Sequence, residues 1–428
     1  MKIAIYTLGC KVNQYETQAM EQELVRRGHE LAAFTDAADA YIVNTCSVTA
    51  VSDKKSRQMI RRCKKTNPDA VVAGCGCYVQ THAEEAKKLG IELVAGTADR
   101  MAFLDLLEQA YRERKQLTLL DDVLKRREFE VLPAGGMATR TRAMLKVEDG
   151  CQNFCTYCII PFARGSVRSL PIDVAVEQTE KLRQEGYKEI VVTGIEISSY
   201  GRDFGDGTTL IDLLEQLSAA AGEMRIRLGS LEPRTITEDF CQRAVKLKNL
   251  CPHFHLSMQS GCDETLKRMN RRYDTARFYE SVRLLHAYFD GVAVTTDLIT
   301  GFPGETEEEF GQTLDFIHKC GFAAMHVFPY SVRPGTKAAE MEQLTAAVKE
   351  ERAARASAAA QEMHRAYLES CVGKVFPVLF EQTDEQGRYC GHAPNYMDVA
   401  VDAIDLHNQV RDTEIVGLNG DILIGRLT

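Results

Sequence analysis

The pattern of apolar and polar positions divides the chain into stretches of different rhythm. From residue 1 to about 112, short β-branched runs at 2–7, 41–45, 70–73 and 92–94 alternate with helical stretches at 14–27, 51–65, 80–89 and 99–113. Continuous apolar runs separated by helical periods predict a small parallel sheet, flavodoxin-like or Rossmann-like but without a glycine-rich phosphate loop. A charged linker at 113–142 follows, and then a second series of strands at 143–148, 189–193, 225–229, 254–257, 292–299 and 324–328. Strands alternating with helices over this length predict an incomplete (βα) barrel. An Ala/Glu/Arg-rich run at 345–370 reads as one long helix that ends this domain, placed at 143–370. Beyond it, alternating runs at 375–380, 399–403, 414–418 and 422–427, punctuated by Gly, Asn and Asp, predict a small β-barrel at 371–428. The expected class is therefore α/β: a small parallel-sheet domain, a partial six-stranded barrel and a terminal β-barrel.

Composition narrows what these domains do. With 428 residues and 45% apolar content, the chain has material for several cores. No run approaches the roughly 20 apolar residues that span a bilayer, and the first thirty residues lack the pattern of a signal peptide. A cytoplasmic protein without membrane attachment is the expectation. Fourteen cysteines in such a compartment point to metal binding, thiol chemistry or core packing before disulfides. The net charge of −9 excludes an all-over nucleic-acid-binding coat but leaves room for a local basic face.

Spacing separates the cysteines. Glu148, Asp149, Gly150, Cys151, Gln152, Asn153, Phe154, Cys155, Thr156, Tyr157 and Cys158 form a CxxxCxxC motif directly after the first barrel strand. One short loop can wrap a cluster with such spacing, and three thiolates leave the fourth iron of a four-iron cluster open. A structural zinc site would ordinarily use four protein ligands. At these residues the sequence resembles the radical S-adenosylmethionine superfamily over about 140–340. The resemblance implies that the open iron chelates the methionine moiety of S-adenosylmethionine, which is cleaved to a deoxyadenosyl radical. It also assigns Tyr157, Gly194, Ser230 and Gln259, at or near strand ends, to cofactor contacts. Gly-rich strand ends also occur simply as turns.

A second set follows the strands of the first domain: Cys10 after 2–7, Cys46 after 41–45, and Cys75 or Cys77 after 70–73. A lone cysteine is ordinarily a buried hydrophobe. Three at equivalent carboxyl ends of a parallel sheet converge on one edge and point to a second three-thiolate cluster. The motifs Leu8-Gly9-Cys10-Lys11-Val12-Asn13-Gln14, Val43-Asn44-Thr45-Cys46 and Gly76-Cys77-Tyr78 resemble the methylthiotransferases, and the terminal barrel is similar to a TRAM domain. The family pattern selects Cys77, whereas spacing alone leaves Cys75 open. The resemblance implies two 4Fe-4S clusters, with one S-adenosylmethionine methylating a sulfur at the second cluster and another generating the radical. Residues Thr7 to Glu16 resemble the threonylcarbamoyladenosine branch of the family. Cys63, Cys241, Cys251, Cys262, Cys320, Cys371 and Cys390 share no pattern and read as packing residues.

The run from Asp53 to Lys65 carries seven basic residues against one acid, and positions 54, 57, 61 and 65 share a helical face. Lys54, Arg57 and Arg61 are therefore candidate RNA contacts, the alternative being a solvated face. The terminal domain is acidic, with four Lys/Arg against nine Asp/Glu, which weakens the electrostatic case for RNA binding there. The expected partners are tRNA, S-adenosylmethionine, a sulfur donor, and an electron donor such as flavodoxin or ferredoxin. The resemblance implies methylthiolation of threonylcarbamoyladenosine beside the tRNA anticodon, at carbon two of the adenine. Its rivals are methylthiolation of isopentenyladenosine or of a ribosomal-protein side chain, and a nonenzymatic iron–sulfur RNA-binding or redox-sensing protein.

Overall fold

The computed structural model describes residues 1–135 and 141–428. Its first domain is an all-parallel six-stranded sheet in the order Glu30–Ala32, Lys2–Thr7, Ala40–Thr45, Val71–Gly76, Leu93–Ala95, Leu117–Leu119. Apolar cores cover both faces. Met20 and Leu24 of the Lys11–Arg26 helix pack with Phe103, Leu104 and Leu107 of the Arg100–Glu113 helix on one side. Met59, Ile60 and Cys63 of Ala50–Thr66 pack with Tyr78 and Val79 on the other. The order of strand addition reverses between Lys2–Thr7 and Ala40–Thr45, and open α/β sheets bind ligands beside such a switch point. Cys10 and Cys46 follow those two strands.

The structure differs from the sequence expectation in three places here. Glu30–Ala32 and Leu117–Leu119, each three residues long, are sheet edges without a readable pattern, and the second lies in the segment expected to be linker. The helix expected at 80–89 is two short ones, Cys77–Thr81 and Ala83–Lys87, broken at His82. The expected linker also runs through 136–140, outside the described residues.

The second domain is the expected open barrel. Arg142–Lys146, Glu189–Thr193 and Arg225–Leu228 form one parallel arc; Ser230–Leu231, His253–Gln259, Ala293–Thr300 and Ala324–Pro329 form the other. Gly229 breaks the third strand yet still donates its N–H to the Val192 carbonyl at 2.8 Å. The first and last strands are not paired among the described residues. The Ala346–Cys371 helix closes the domain, and the terminal Val375–Thr383, Tyr389–His392, Asp398–Val401, Ile422–Leu427 and Gln409–Asn419 strands form a closed barrel. Arg225 and Arg227 anchor it, donating to the carbonyls of Pro377, His392, Ala393 and Pro394.

Candidate metal centre

The first thiol set depends on a tightly held turn. Asn13, 1% exposed, donates from one amide to the carbonyls of Leu8 at 2.7 Å and Thr45 at 3.0 Å. It thus ties the loop carrying Cys10 to the loop carrying Cys46. Gly9 has φ +98°, and a Cβ there would stand 2.8 Å from the Cys46 Sγ. Cys46 and Cys77 are buried, Cys10 is exposed, and the three are near enough that each electrostatically affects another. Burial pushes the Cys77 thiol up to about 12, partly opposed by the Arg164 guanidinium. Cys75 instead lies in the apolar layer with Ile3, Met20 and Phe103, its thiol pushed up to about 11 by burial.

The second set lies in the loop after the first barrel strand, where Gly150 takes φ +93° and a Cβ would meet the Ser166 carbonyl at 2.0 Å. Asn270 holds this loop by donating to the Asn153 and Phe154 carbonyls. Cys155 accepts a hydrogen bond from the Arg271 guanidinium at 3.2 Å. Burial pushes the Cys158 thiol up to about 12, with Arg271 and Arg333 acting against it.

Two fully buried arginines bring the sets together. Arg164, which ends the short helix after the second loop, donates to Asn13 at 2.7 Å and to Glu16, and its charge acts on Cys77. Arg333 donates to Asp53 and Ser47 at 2.7 Å beside Cys46, while its charge acts on Cys158. Around Arg164, Glu16 also pairs with Arg100 at 2.7 Å and Lys146 at 3.3 Å, and Lys146 pairs with Asp149 at 2.7 Å. The basic groups hold Glu16 well below the usual carboxylate range despite burial.

Among the described residues no three His, Cys, Asp or Glu side chains converge on a single metal ion. Around a four-iron cluster each thiolate binds a different iron, so the ligands need not converge. Two triads of soft donors, with a guanidinium beside each to offset thiolate charge, fit such clusters.

The proposed cofactor contacts are distributed around this junction. Gly194 follows the Glu189–Thr193 strand, and a Cβ there would stand 2.7 Å from the Glu148 carboxylate. Ser230 is exposed on a cleft of about 480 Å³. Gln259 ends its strand at φ +66°, where the register shifts. Tyr157 faces the satellite core of Met269, Phe302 and Tyr330. On the basic helix Lys54 and Arg61 are exposed, but Arg57 is drawn back over the Tyr78 ring, 5.6 Å away, with Glu85 nearby. Arg164, Arg333 and Lys11 were not among the residues marked by sequence reasoning as contacts. Lys11 lay inside a quoted motif, whereas a lone arginine carries no spacing signal.

Comparison with known proteins agrees with the fold. Residues 145–317 match the Radical SAM superfamily, and residues 2–96 match a family described as Uncharacterized protein family UPF0004. The chain is 41% identical, over 93% of its length and 89% of the relative's, to the Threonylcarbamoyladenosine tRNA methylthiotransferase MtaB of Bacillus subtilis. It is 33% identical, over 82% of its length and 80% of the relative's, to the tRNA-2-methylthio-N(6)-dimethylallyladenosine synthase of Pelotomaculum thermopropionicum. Among solved structures, the radical S-adenosylmethionine methyltransferase TsrM of Kitasatospora setae shares the fold at TM-score 0.59 and 14% identity, covering 79% of this chain and 77% of that one. The Radical SAM match and these relatives define a radical S-adenosylmethionine enzyme. More narrowly, the chain belongs to the radical S-adenosylmethionine methylthiotransferase family and is an enzymatic transferase. Its cofactors are S-adenosylmethionine and two four-iron, four-sulfur clusters.

Proposed function

We propose that this enzyme methylthiolates carbon two of threonylcarbamoyladenosine beside the anticodon of tRNA, with Cys151, Cys155 and Cys158 holding the radical cluster and Cys10, Cys46 and Cys77 the auxiliary one. The observation that carries this reading is the buried junction at which Arg164 and Arg333 each reach from the barrel domain to the first thiol set. When bound, the clusters supply the electron that cleaves S-adenosylmethionine and the site that carries the sulfur to be methylated. The protein supplies the rest. Asn13 fixes the two thiol loops against each other, Asn270 fixes the third, and the arginines offset the charge of the thiolates. A radical suits the task because the adenine C–H bond offers no acidic proton to an ordinary base.

The choice of tRNA is supported by the exposed basic face of Ala50–Thr66 in the domain that carries the auxiliary thiols, since phosphate contacts position RNA loops whose bases are then read singly. The choice of adenosine is supported by the Cys10 motif and by the Bacillus subtilis relative's name. The test is anaerobic incubation of the reconstituted protein with S-adenosylmethionine, reductant, sulfide and an anticodon stem-loop RNA. Methylthio product from threonylcarbamoyladenosine RNA supports the proposal. Product only from isopentenyladenosine RNA rejects the substrate, and absence of deoxyadenosine rejects the radical step.

A further inference from the structure

One cation in the interdomain cleft makes no ion pair among the described residues, and it follows an auxiliary thiol in the chain. The cleft holds about 480 Å³ between the first domain, the barrel interior and the terminal barrel, within the size range of small-ligand sites. The arginines around it are each ion-paired. Arg142 pairs with Glu381 at 2.8 Å, Arg225 and Arg227 with Glu189 at 2.8 Å, His255 with Asp297 at 3.3 Å, and His392 with Asp398 at 3.0 Å. Lys11, half-buried, makes no hydrogen bond or ion pair among the described residues; its ammonium stands 6.0 Å from the centre of the Tyr396 ring. A lysine partly withdrawn from water with no carboxylate in ion-pair contact forgoes part of its hydration without a pair in exchange, a cost that a bound anion lowers.

We propose that the Lys11 ammonium is the receptor for the carboxylate of the amino-acid chain on the target adenosine, and so the residue that selects this nucleoside over one with an uncharged substituent. This rests on the threonylcarbamoyladenosine reading above. Position supports it: Lys11 follows Cys10 directly, so a carboxylate held there draws the attached base toward the auxiliary thiols. The lining is mixed: Ser230, His255, Asp297 and His326 are available to a hydroxyl or urea group, while Leu228, Ala324 and Met397 offer apolar surface to an uncharged chain as well, so discrimination falls to the Lys11 charge. Asp421, also on the lining, is exposed.

The carboxylate and an RNA phosphate share the chemistry Lys11 offers, so the experiment separates them. Fluorescence anisotropy would measure binding of the full-length protein to three anticodon stem-loops, bearing threonylcarbamoyladenosine, its methyl ester or plain adenosine. The wild type is expected to bind the carboxylate RNA roughly tenfold more tightly than the ester, the scale of one charge-assisted hydrogen bond. Lys11→Met should abolish that ratio, and Lys11→Arg should keep most of it. Because the ratio is taken within each protein, a general loss of folded material cancels. Retention of the preference by Lys11→Met, or equal weakening of all three RNAs, overturns the proposal, the latter because it marks a phosphate contact. A wild type that methylthiolates the acid and the ester equally well also overturns it while sparing the substrate reading. A wild type that modifies only isopentenyladenosine RNA removes both.

Discussion

Cys75 and Cys77 stand two positions apart, yet the chain turns between them and sends them to different environments. Gly76 makes the turn at φ +92°, and a Cβ there would lie 2.5 Å from the Thr45 carbonyl. Cys75 therefore stays in the strand's apolar face, while Cys77 begins the short helix beside Cys10 and Cys46. Cys77→Ala should bring iron from about eight to about four atoms per chain, while Cys75→Ala keeps both clusters. Iron and sulfide assays after anaerobic reconstitution check this, and loss of a cluster in Cys75→Ala would transfer the ligand role. Glu148 gives a pH prediction. Burial, with Asp149 and Glu196 adding to it, holds its carboxyl well above the usual range, and its Oε1 has no partner among the described residues. A folded-state pKa above the unfolded one makes stability complete below the ordinary value of 4.5 and progressively lost as pH rises through the folded value. The neutral variant Glu148→Gln should thus gain thermal stability relative to wild type as pH rises. A constant difference in melting temperature across the pH series would contradict this.

At the scale of elements, the Ala50–Thr66 helix is written plainly in the sequence: Thr49 caps it through the Ser52 N–H, and its apolar stripe of Met59, Ile60 and Cys63 packs on the sheet. Its charged face divides between exposed Lys54 and Arg61 and the withdrawn Arg57. Lys54→Glu with Arg61→Glu should weaken tRNA binding and lower the slope of log affinity against log salt by at least about 1, measured by filter binding. An unchanged slope would leave this face to solvation alone. The buried strands were equally legible because their apolar runs are continuous, as at Val71–Gly76. Short edge strands such as Leu117–Leu119 were not, since three residues establish no period and their pairing comes from the neighbouring strand. Spacing marked Cys151, Cys155 and Cys158, and strand ends marked Cys10 and Cys46, but Cys77 was chosen over Cys75 only by resemblance. Arg164 and Arg333 were not legible, because their importance comes from contacts roughly 150 and 280 positions away in sequence.

Over the whole molecule, the first domain and the barrel are joined through charge as well as apolar packing. Glu16, Arg100, Lys146 and Arg164 are all fully buried, so removing one leaves its partners uncompensated. Arg164→Met should destabilise the apoprotein by about 3–5 kcal/mol, read from denaturant unfolding, and Arg164→Lys should restore only part, lacking the fork that reaches both Asn13 and Glu16. A variant as stable as wild type would show that the two thiol sets are held together by other contacts. The junction has its use only if both sets act on one nucleoside. That claim meets its most direct test in nucleoside mass spectrometry of bulk tRNA from cells with and without the gene. Deletion should remove methylthio-threonylcarbamoyladenosine and let threonylcarbamoyladenosine accumulate; an unchanged level, or loss of the isopentenyl methylthio nucleoside in its place, would contradict a shared site.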